Sequence, residues 1–240
     1  MSLSIIIPVL NEEKNILKLF KLIKREVLVK YEILFIDDNS IDNTKKIIFK
    51  IKKKNKFVKY FNRKKRIRDL SKSCKVGITK SRYDNILIMD ADLQHHPKYI
   101  KKMMNNMIKN SSDIVIACRK FNQRKKVHGL NILRFISSKI LIVLFNFISQ
   151  IKSNDPMSGY FLFKKKIFYK SQKKMILKGY KILADLLANT DKDTKISHIY
   201  IDFYKRNAGK TKMDIKIILI LVYFLSRILL SKIRNKLTIF

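Results

Sequence analysis

The chain has no tryptophan, only two cysteines, five glycines and three prolines in 240 residues. Cys74 and Cys118 form no CxxC pair, which argues against a disulfide scaffold and a structural zinc site and fits a reducing compartment. Acid is also scarce, because 18 Asp and Glu stand against 54 Lys and Arg and leave a formal net charge of +36. Such a surplus calls for an anionic partner: nucleic acid, a lipid surface or a phosphorylated substrate. The lysines are scattered and form no basic tail, so the coding bias of an AT-rich genome explains the surplus equally well. The first apolar run, from Leu3, has no basic lead and is too short for a secretory signal; it reads as a buried strand. With 47% apolar residues the chain has enough to bury a real core, and disorder is excluded on composition.

Short β-rich apolar runs alternate with longer amphipathic segments, the pattern of an α/β domain with a mainly parallel sheet. Strands are expected at Leu3 to Val9, Tyr31 to Asp37, Phe57 to Phe61, Asn85 to Asp90, Asp113 to Cys118 and Lys195 to Tyr204. Helical periodicity runs over Glu12 to Val27, Asp42 to Lys54, Leu70 to Ser81 and Pro97 to Lys109, with Asn11, Asp42 and Asp69 available as N-caps. Leu130 to Gln150 reads as a long apolar helix after a basic loop. Ile215 to Ile233 is strongly apolar but carries Lys216, Arg227 and Lys232, so its uncharged stretch falls short of the ~20 residues that a spanning helix needs. An interfacial helix with snorkelling basic side chains is expected there; a helix packed on the protein's own core is the alternative.

Ligands of an open parallel sheet bind beyond the carboxyl ends of its strands. The chain places its few acids there. The second strand ends in Asp37-Asp38-Asn39-Ser40 and the fourth in Asp90-Ala91-Asp92-Leu93-Gln94. Residues two apart in an extended segment share a side, so Asp90 and Asp92 can face one pocket, and paired carboxylates in so basic a chain point to a hard divalent cation with Gln94 as a neutral oxygen ligand. A turn capped by Asp92 explains the same acids without a metal. Paired acids at Asp37 and Asp38 suit ribose hydroxyls and base N–H groups, or a turn and helix cap. His95-His96 has no spaced Cys or His partner and reads as loop, not zinc ligation.

Several segments together carry a resemblance. Ile5 to Ile16, Asp37 to Ser40 and Met89 to His95 are similar to family 2 inverting glycosyltransferases. Arg68 to Ser71 before Gly77, Asp155 to Phe161, Gly179 to Asp185 and the basic turn Arg206 to Lys212 narrow the resemblance to the polyprenyl-phosphate branch, that of the dolichol-phosphate mannose synthases. The resemblance implies an α/β nucleotide-diphospho-sugar transferase fold of GT-A type, with a mainly parallel central sheet flanked by helices and a C-terminal amphipathic interface helix. It implies a catalytic domain over 1–212 and a membrane-interface helix over 213–240.

By the same resemblance, Pro8, Asn11, Glu12, Asp37 and Asp38 would hold the base and ribose of a nucleotide sugar, GDP-mannose first and UDP-glucose second. Asp90, Asp92 and Gln94 would bind Mg or Mn with the donor diphosphate. Arg206 and Lys212 would close over that diphosphate, and Arg119, Arg134 and Ser138 would receive the phosphate of a polyprenyl acceptor. Asp92, Asp185, Arg119 and Arg206 would be the catalytic set. The activity implied is transfer of a hexose to a polyprenyl phosphate with inversion, on the cytoplasmic face of a membrane. Attachment would be peripheral or monotopic, at an anionic surface, with room for a membrane-anchoring subunit. The chain departs from the branch with Asn39 where glycine is usual, Asp185 where glutamate is usual and Thr211 where serine is usual. A saccharide acceptor in cell-surface polysaccharide synthesis is the alternative within the family. A nucleic-acid-binding protein is the alternative outside it; it leaves the acids at both strand ends unexplained, so no nucleic-acid partner is expected.

Overall fold

The computed structural model describes residues 1–64, 68–119, 132–149, 151–179 and 181–204, with the backbone alone over 132–138, and, further on, Ser226 and Leu229. The strands are β1 (Leu3–Val9), β2 (Tyr31–Asp37), β3 (Val58–Asn62), β4 (Asn85–Ile88), β5 (Ile114–Arg119), β6 (Phe161–Lys164) and β7 (Ile196–Ile201). They form one seven-stranded sheet in the order β3-β2-β1-β4-β6-β5-β7. Every pairing is parallel except those of β6, which runs antiparallel to both β4 and β5. The fold is therefore α/β with a mixed, mostly parallel sheet, and β6 is a strand that the alternation in the sequence did not reveal.

Both faces of the sheet are covered, which is why β1 and β2 are predominantly apolar and do not alternate with polar residues. Ile5, Ile7, Ile33, Phe35 and Leu87 pack on one side with α1 (Glu13–Glu26), α2 (Thr44–Lys54) and α4 (Tyr99–Lys109). Helix α1 contributes Ile16, Leu19, Phe20 and Ile23, a single stripe at helical spacing. Ile6, Leu34, Ile36, Ile86 and Ile88 face the other side, against α3 (Leu70–Lys80), α5 (Ile132–Ile148), α6 (Lys165–Ser171) and α7 (Ile182–Asn189). Gly77 of α3 permits the close approach to β1, since a methyl group there would collide with the Ile6 side chain.

Two of the three expected N-caps act differently from the expectation. Asp69 caps α3 by accepting from the Lys72 N–H at 3.2 Å. Asn11 does not cap its own helix, and Asp42 does so with one oxygen only, its Oδ1 accepting from the Thr44 N–H at 3.0 Å; both also tie the two strand-end loops together. The Asn11 Oδ1 accepts from Ile41 N at 2.9 Å, Asp42 Oδ2 from Glu13 N at 3.2 Å, and Glu13 Oε2 from Asn43 N at 2.9 Å. The first turns of α1 and α2 thus cap each other, a long-range arrangement that no local pattern encodes. Among the described residues no helix is long and apolar enough to cross a membrane. The expected C-terminal helix lies outside the described residues apart from Ser226 and Leu229.

Candidate active site

The loops at the carboxyl ends of β1, β2 and β4 meet, and the two acidic motifs lie on them. Asp37 is fully buried; its Oδ1 accepts from the Ser40 amide at 2.8 Å and hydroxyl at 2.7 Å, and its Oδ2 from the Tyr60 hydroxyl at 2.8 Å. Burial and the adjacent carboxylate push the Tyr60 phenol well above its ordinary value, so it stays a donor. Asp38 pairs with Arg63, at 2.9 Å to Nε and 2.6 Å to Nη2, and accepts from the Asp69 N–H at 2.6 Å. These acids, expected at base and ribose, are also the struts of their own turn. Asn39 takes φ 67° between them and Asn11 takes φ 57°. Asparagine is the residue that best tolerates this left-handed region after glycine, which accounts physically for Asn39 at a position where glycine is usual.

Asp90 and Asp92 follow β4. The Asp90 side chain is 38% exposed and lines a narrow cleft with Pro8, Met157, Gly159 and Lys181. Gly159 lies against the carboxylate so closely that a Cβ there would stand 3.1 Å from Asp90 Cγ and 3.3 Å from Oδ1, and nearer still to Oδ2. Asp92 is buried and its Oδ1 accepts from the Gln94 N–H at 3.0 Å. Leu93, between them, takes φ 64°, a conformation that costs a non-glycine residue about 1–3 kcal/mol and is found mainly at functional sites. Gln94 is tied to the end of the strand β7 segment: its Nε2 donates to the Tyr204 carbonyl at 3.3 Å, and Tyr204 N donates to its carbonyl at 3.1 Å.

His95 is a loop residue, as expected, but a buried one, packed between Tyr160 and Phe203 with ring centroids 5.3 Å from each. Burial, reinforced by Arg119 and opposed by Asp155, pushes the imidazole down to about 3, so it is neutral at ordinary pH. Its Nδ1 is buried without a hydrogen-bond partner, 3.7 Å from Asp90 Oδ2.

Arg119, at the end of β5, is gripped bidentately by the fully buried Asp155, with Nε to Oδ2 and Nη2 to Oδ1 both at 2.8 Å. Its guanidinium also lies over the Phe203 ring, 5.8 Å from the centroid. Ser158 then donates to the Ala117 carbonyl at 2.8 Å, and Gly159 reaches Asp90. One short loop, 155–159, therefore fixes Arg119 at one end and lies against Asp90 at the other.

Asp185 belongs to α7 and does not line the cleft. Its carboxylate accepts from Ile176 N at 3.1 Å, Leu177 N at 2.7 Å and the Asn189 amide at 3.0 Å, and burial raises its pKa despite these donors. Glu12 Oε2 accepts from the Asn15 amide at 2.6 Å. The side chains of Arg134 and Ser138, and all of Arg206 and Lys212, lie outside the described residues. Sequence reasoning gave Tyr60 and Arg63 no part in the site, and it used His95, Gly159 and Lys181 only within the segments that carry the resemblance, without a role of their own. With only five glycines in the chain, the placement of Gly159 was one available signal.

Among the described residues no three His, Cys, Asp or Glu side chains are gathered so as to hold a metal by themselves. The Asp90 carboxylate, which unlike Asp92 lines the cleft, nevertheless fits Mg or Mn, hard ions that take one or two carboxylates and fill the remaining positions with water and substrate phosphate. The open Asp90 carboxylate, with glycine where any larger residue would displace it, supports that fit.

The chain is 34% identical over 223 residues to dolichol-phosphate mannosyltransferase of Pyrococcus furiosus, covering 91% of this chain and 61% of that protein. It thus spans about three-fifths of that relative's length. It is 27% identical to dolichol-phosphate mannosyltransferase of Mycosarcoma maydis over 90% of this chain and 75% of that one. Among solved structures, glucosyl-3-phosphoglycerate synthase of Mycobacterium tuberculosis, in complex with Mn2+, uridine diphosphate and glucosyl-3-phosphoglycerate, superposes with a TM-score of 0.68 at 16% identity, covering 96% and 79% of the two chains. TarS of S. aureus gives a TM-score of 0.59 at 17% identity over 86% and 59%. These neighbours share the GT-A type of fold. The family model described as Glycosyl transferase family 2 matches residues 4–171. The chain belongs to glycosyl transferase family 2.

Proposed function

We propose that the protein transfers a hexose from a nucleotide sugar to a polyprenyl phosphate with inversion at the anomeric carbon. The observation that carries this reading is the 155–159 loop, which holds Arg119 through Asp155 at one end and lies against the Asp90 carboxylate at the other, and so ties an arginine to an open acid at the rim of one cleft. The likeness to two dolichol-phosphate mannosyltransferases over nine-tenths of the chain supports the acceptor class and makes GDP-mannose the first donor to test, UDP-glucose the second.

In this reading an acceptor phosphate oxygen attacks the anomeric carbon, the bond from that carbon to the donor diphosphate breaks, and nucleoside diphosphate departs. The second pKa of a phosphate monoester is about 6, so the nucleophile is already anionic and no strong general base is required. That agrees with Asp185 spending its carboxylate on the backbone of residues 176–177. What the chain must supply is alignment of two phosphorylated substrates. Pro8, Asn11 and Glu12 with the Asp37 and Asp38 turn line the nucleotide end, and Arg119, joined by Arg134 and Ser138, takes the acceptor phosphate. Asp185 holds the 176–177 loop beside the site. Asp90 and Asp92, with Gln94, would hold Mg or Mn, as the Mn2+ complex of the mycobacterial neighbour encourages. Bound there, the ion supplies charge stabilisation to the leaving diphosphate. Arg206 and Lys212, by the family resemblance, would close over the donor diphosphate.

A lipid acceptor needs a membrane face. Helix α5 exposes Ile140, Val143, Leu144 and Phe147, at 53%, 68%, 43% and 86%, one apolar stripe at helical spacing without acidic residues. This stripe supports peripheral attachment of a catalytic domain, 1–212, at an anionic cytoplasmic leaflet, with 213–240 as the second interface helix. Asp92→Ala is the direct test: transfer that depends on Mg or Mn should be abolished while the fold survives, and wild-type turnover in that variant would refute the metal assignment.

A further inference from the structure

One cation in the cleft is not accounted for by the reading above. Lys181 stands immediately before α7, where its backbone is fixed: Gly179 N donates to Asp69 Oδ1 at 3.2 Å, Ser71 N to the Gly179 carbonyl at 2.9 Å, and Asp185 N to the Lys181 carbonyl at 3.0 Å. Its side chain lines the same cleft as Asp90, Gly159 and Pro8, with Leu70, Ile182 and Leu183 as apolar walls. Among the described residues its ammonium makes no hydrogen bond or ion pair. An ammonium sequestered in this way is costly without an anion.

The neighbouring charges say which anion is missing. Two Arg119 nitrogens are already bonded to Asp155, so that pair is close to neutral as a unit. Among the described residues, Lys181 therefore supplies the positive charge of this cleft that no hydrogen bond or ion pair offsets, in the same lining as Asp90. We propose that Lys181 binds a phosphate oxygen of the acceptor, acting beside Arg119 as a second anion-binding cation. The inference rests on the proposed reaction for the identity of that phosphate. A lysine suits the task as a compact point charge with three rotatable donors, whereas Arg119 has one edge of its fork turned to a planar carboxylate and only its remaining N–H groups to offer. A phosphate monoester brings a charge of about −1.5 to −2 at neutral pH, enough to satisfy the ammonium without dissolving the Arg119–Asp155 pair. Burial pushes the ammonium down to about 8, with Arg119 acting in the same direction and Asp155 and Asp90 opposing, as expected of a cation held ready for an anion.

The test measures binding directly and transfer beside it. Titration calorimetry would follow citronellyl monophosphate, a short isoprenyl phosphate, and the uncharged citronellol against wild type, Lys181→Met, Lys181→Gln and Lys181→Arg. Nucleoside diphosphate with Mn2+ serves as the donor-side probe. Expected is a loss of roughly tenfold to a hundredfold in affinity for the phosphate ester in the Met and Gln variants, substantial recovery in Arg, and unchanged nucleoside diphosphate affinity. The acceptor KM should rise more than kcat falls. Equal phosphate-ester affinity in wild type and in whichever of Met and Gln folds, an equal loss of nucleoside diphosphate affinity, or failure of wild type to prefer the phosphate over the alcohol would each overturn the assignment. Binding of the phosphate ester that depends on Lys181 but is never followed by sugar transfer would instead overturn the proposed reaction and leave Lys181 as an anion site.

Discussion

Replacing Gly159 by alanine should separate the chemistry of the cleft from the stability of the fold. A Cβ at this position would stand 3.1 Å from Asp90 Cγ and closer to Oδ2, so the carboxylate must move by about 1 Å to regain ordinary van der Waals separation. The Asp90 side chain is 38% exposed and can swing into the cleft, which limits the cost in stability to an off-rotamer penalty of about 0.5–1.5 kcal/mol. The functional cost is larger, because a displacement of that size at a reacting centre is worth about a hundredfold in rate and disturbed ligand support about 10–100-fold in metal affinity. Thermal unfolding, Mn2+ titration and transfer assays on the same preparation would read the two effects apart. Wild-type metal affinity and turnover in Gly159→Ala would refute the idea that this glycine is there to make room for Asp90.

Three further outcomes follow from the same geometry. Asp155→Ala leaves the Arg119 guanidinium largely buried without its counter-charge and should lower unfolding free energy by about 3–5 kcal/mol in urea denaturation; a loss under 1 kcal/mol would contradict the buried pairing. His95 has an ordinary value of 6.5 and a folded value of about 3, so the unfolded chain binds the extra proton between these limits and stability must fall as pH drops below 6.5, by about 1.4 kcal/mol per pH unit. Unfolding at pH 7 and pH 5 should therefore differ more in wild type than in His95→Asn, and equal differences would show that the imidazole is not sequestered. Charging the exposed stripe of α5 with Val143→Glu and Phe147→Glu should abolish flotation with anionic liposomes while leaving the melting temperature within a few degrees; unaltered flotation would remove α5 from the membrane face.

The bounds of β1 and β2 were legible to the residue because strands buried on both faces are predominantly apolar and do not alternate with polar residues. β4 ends at Ile88, two residues short of the expected end, because the chain leaves the ladder to set up the strained turn at Leu93. β6 was not legible: four residues, Phe161–Lys164, inserted antiparallel between β4 and β5, carry no local sign of their partners. Helix α7 escaped for the opposite reason, since Ile182 through Leu187 are all buried and leave no polar face to reveal a period. At the site, the positions of the acids could be read from their strand ends, but not what holds them. Tyr60 and Arg63 reach Asp37 and Asp38 across 23 and 25 residues of chain, and Asp155 reaches Arg119 across 36. Lys181 lies in the Gly179 to Asp185 segment that carries part of the resemblance, but it is one basic residue among 54 and its place in the cleft comes from the fold.

The most direct measurement is sugar transfer by the wild-type protein from a panel of labelled nucleotide sugars to a short polyprenyl phosphate, with and without Mn2+. The expected result is a glycosylated lipid phosphate formed with one donor, GDP-mannose first among them, only when the metal is present and with inverted anomeric configuration. Sugar delivered only to saccharide acceptors, or lipid product formed equally well in chelator, would contradict the account.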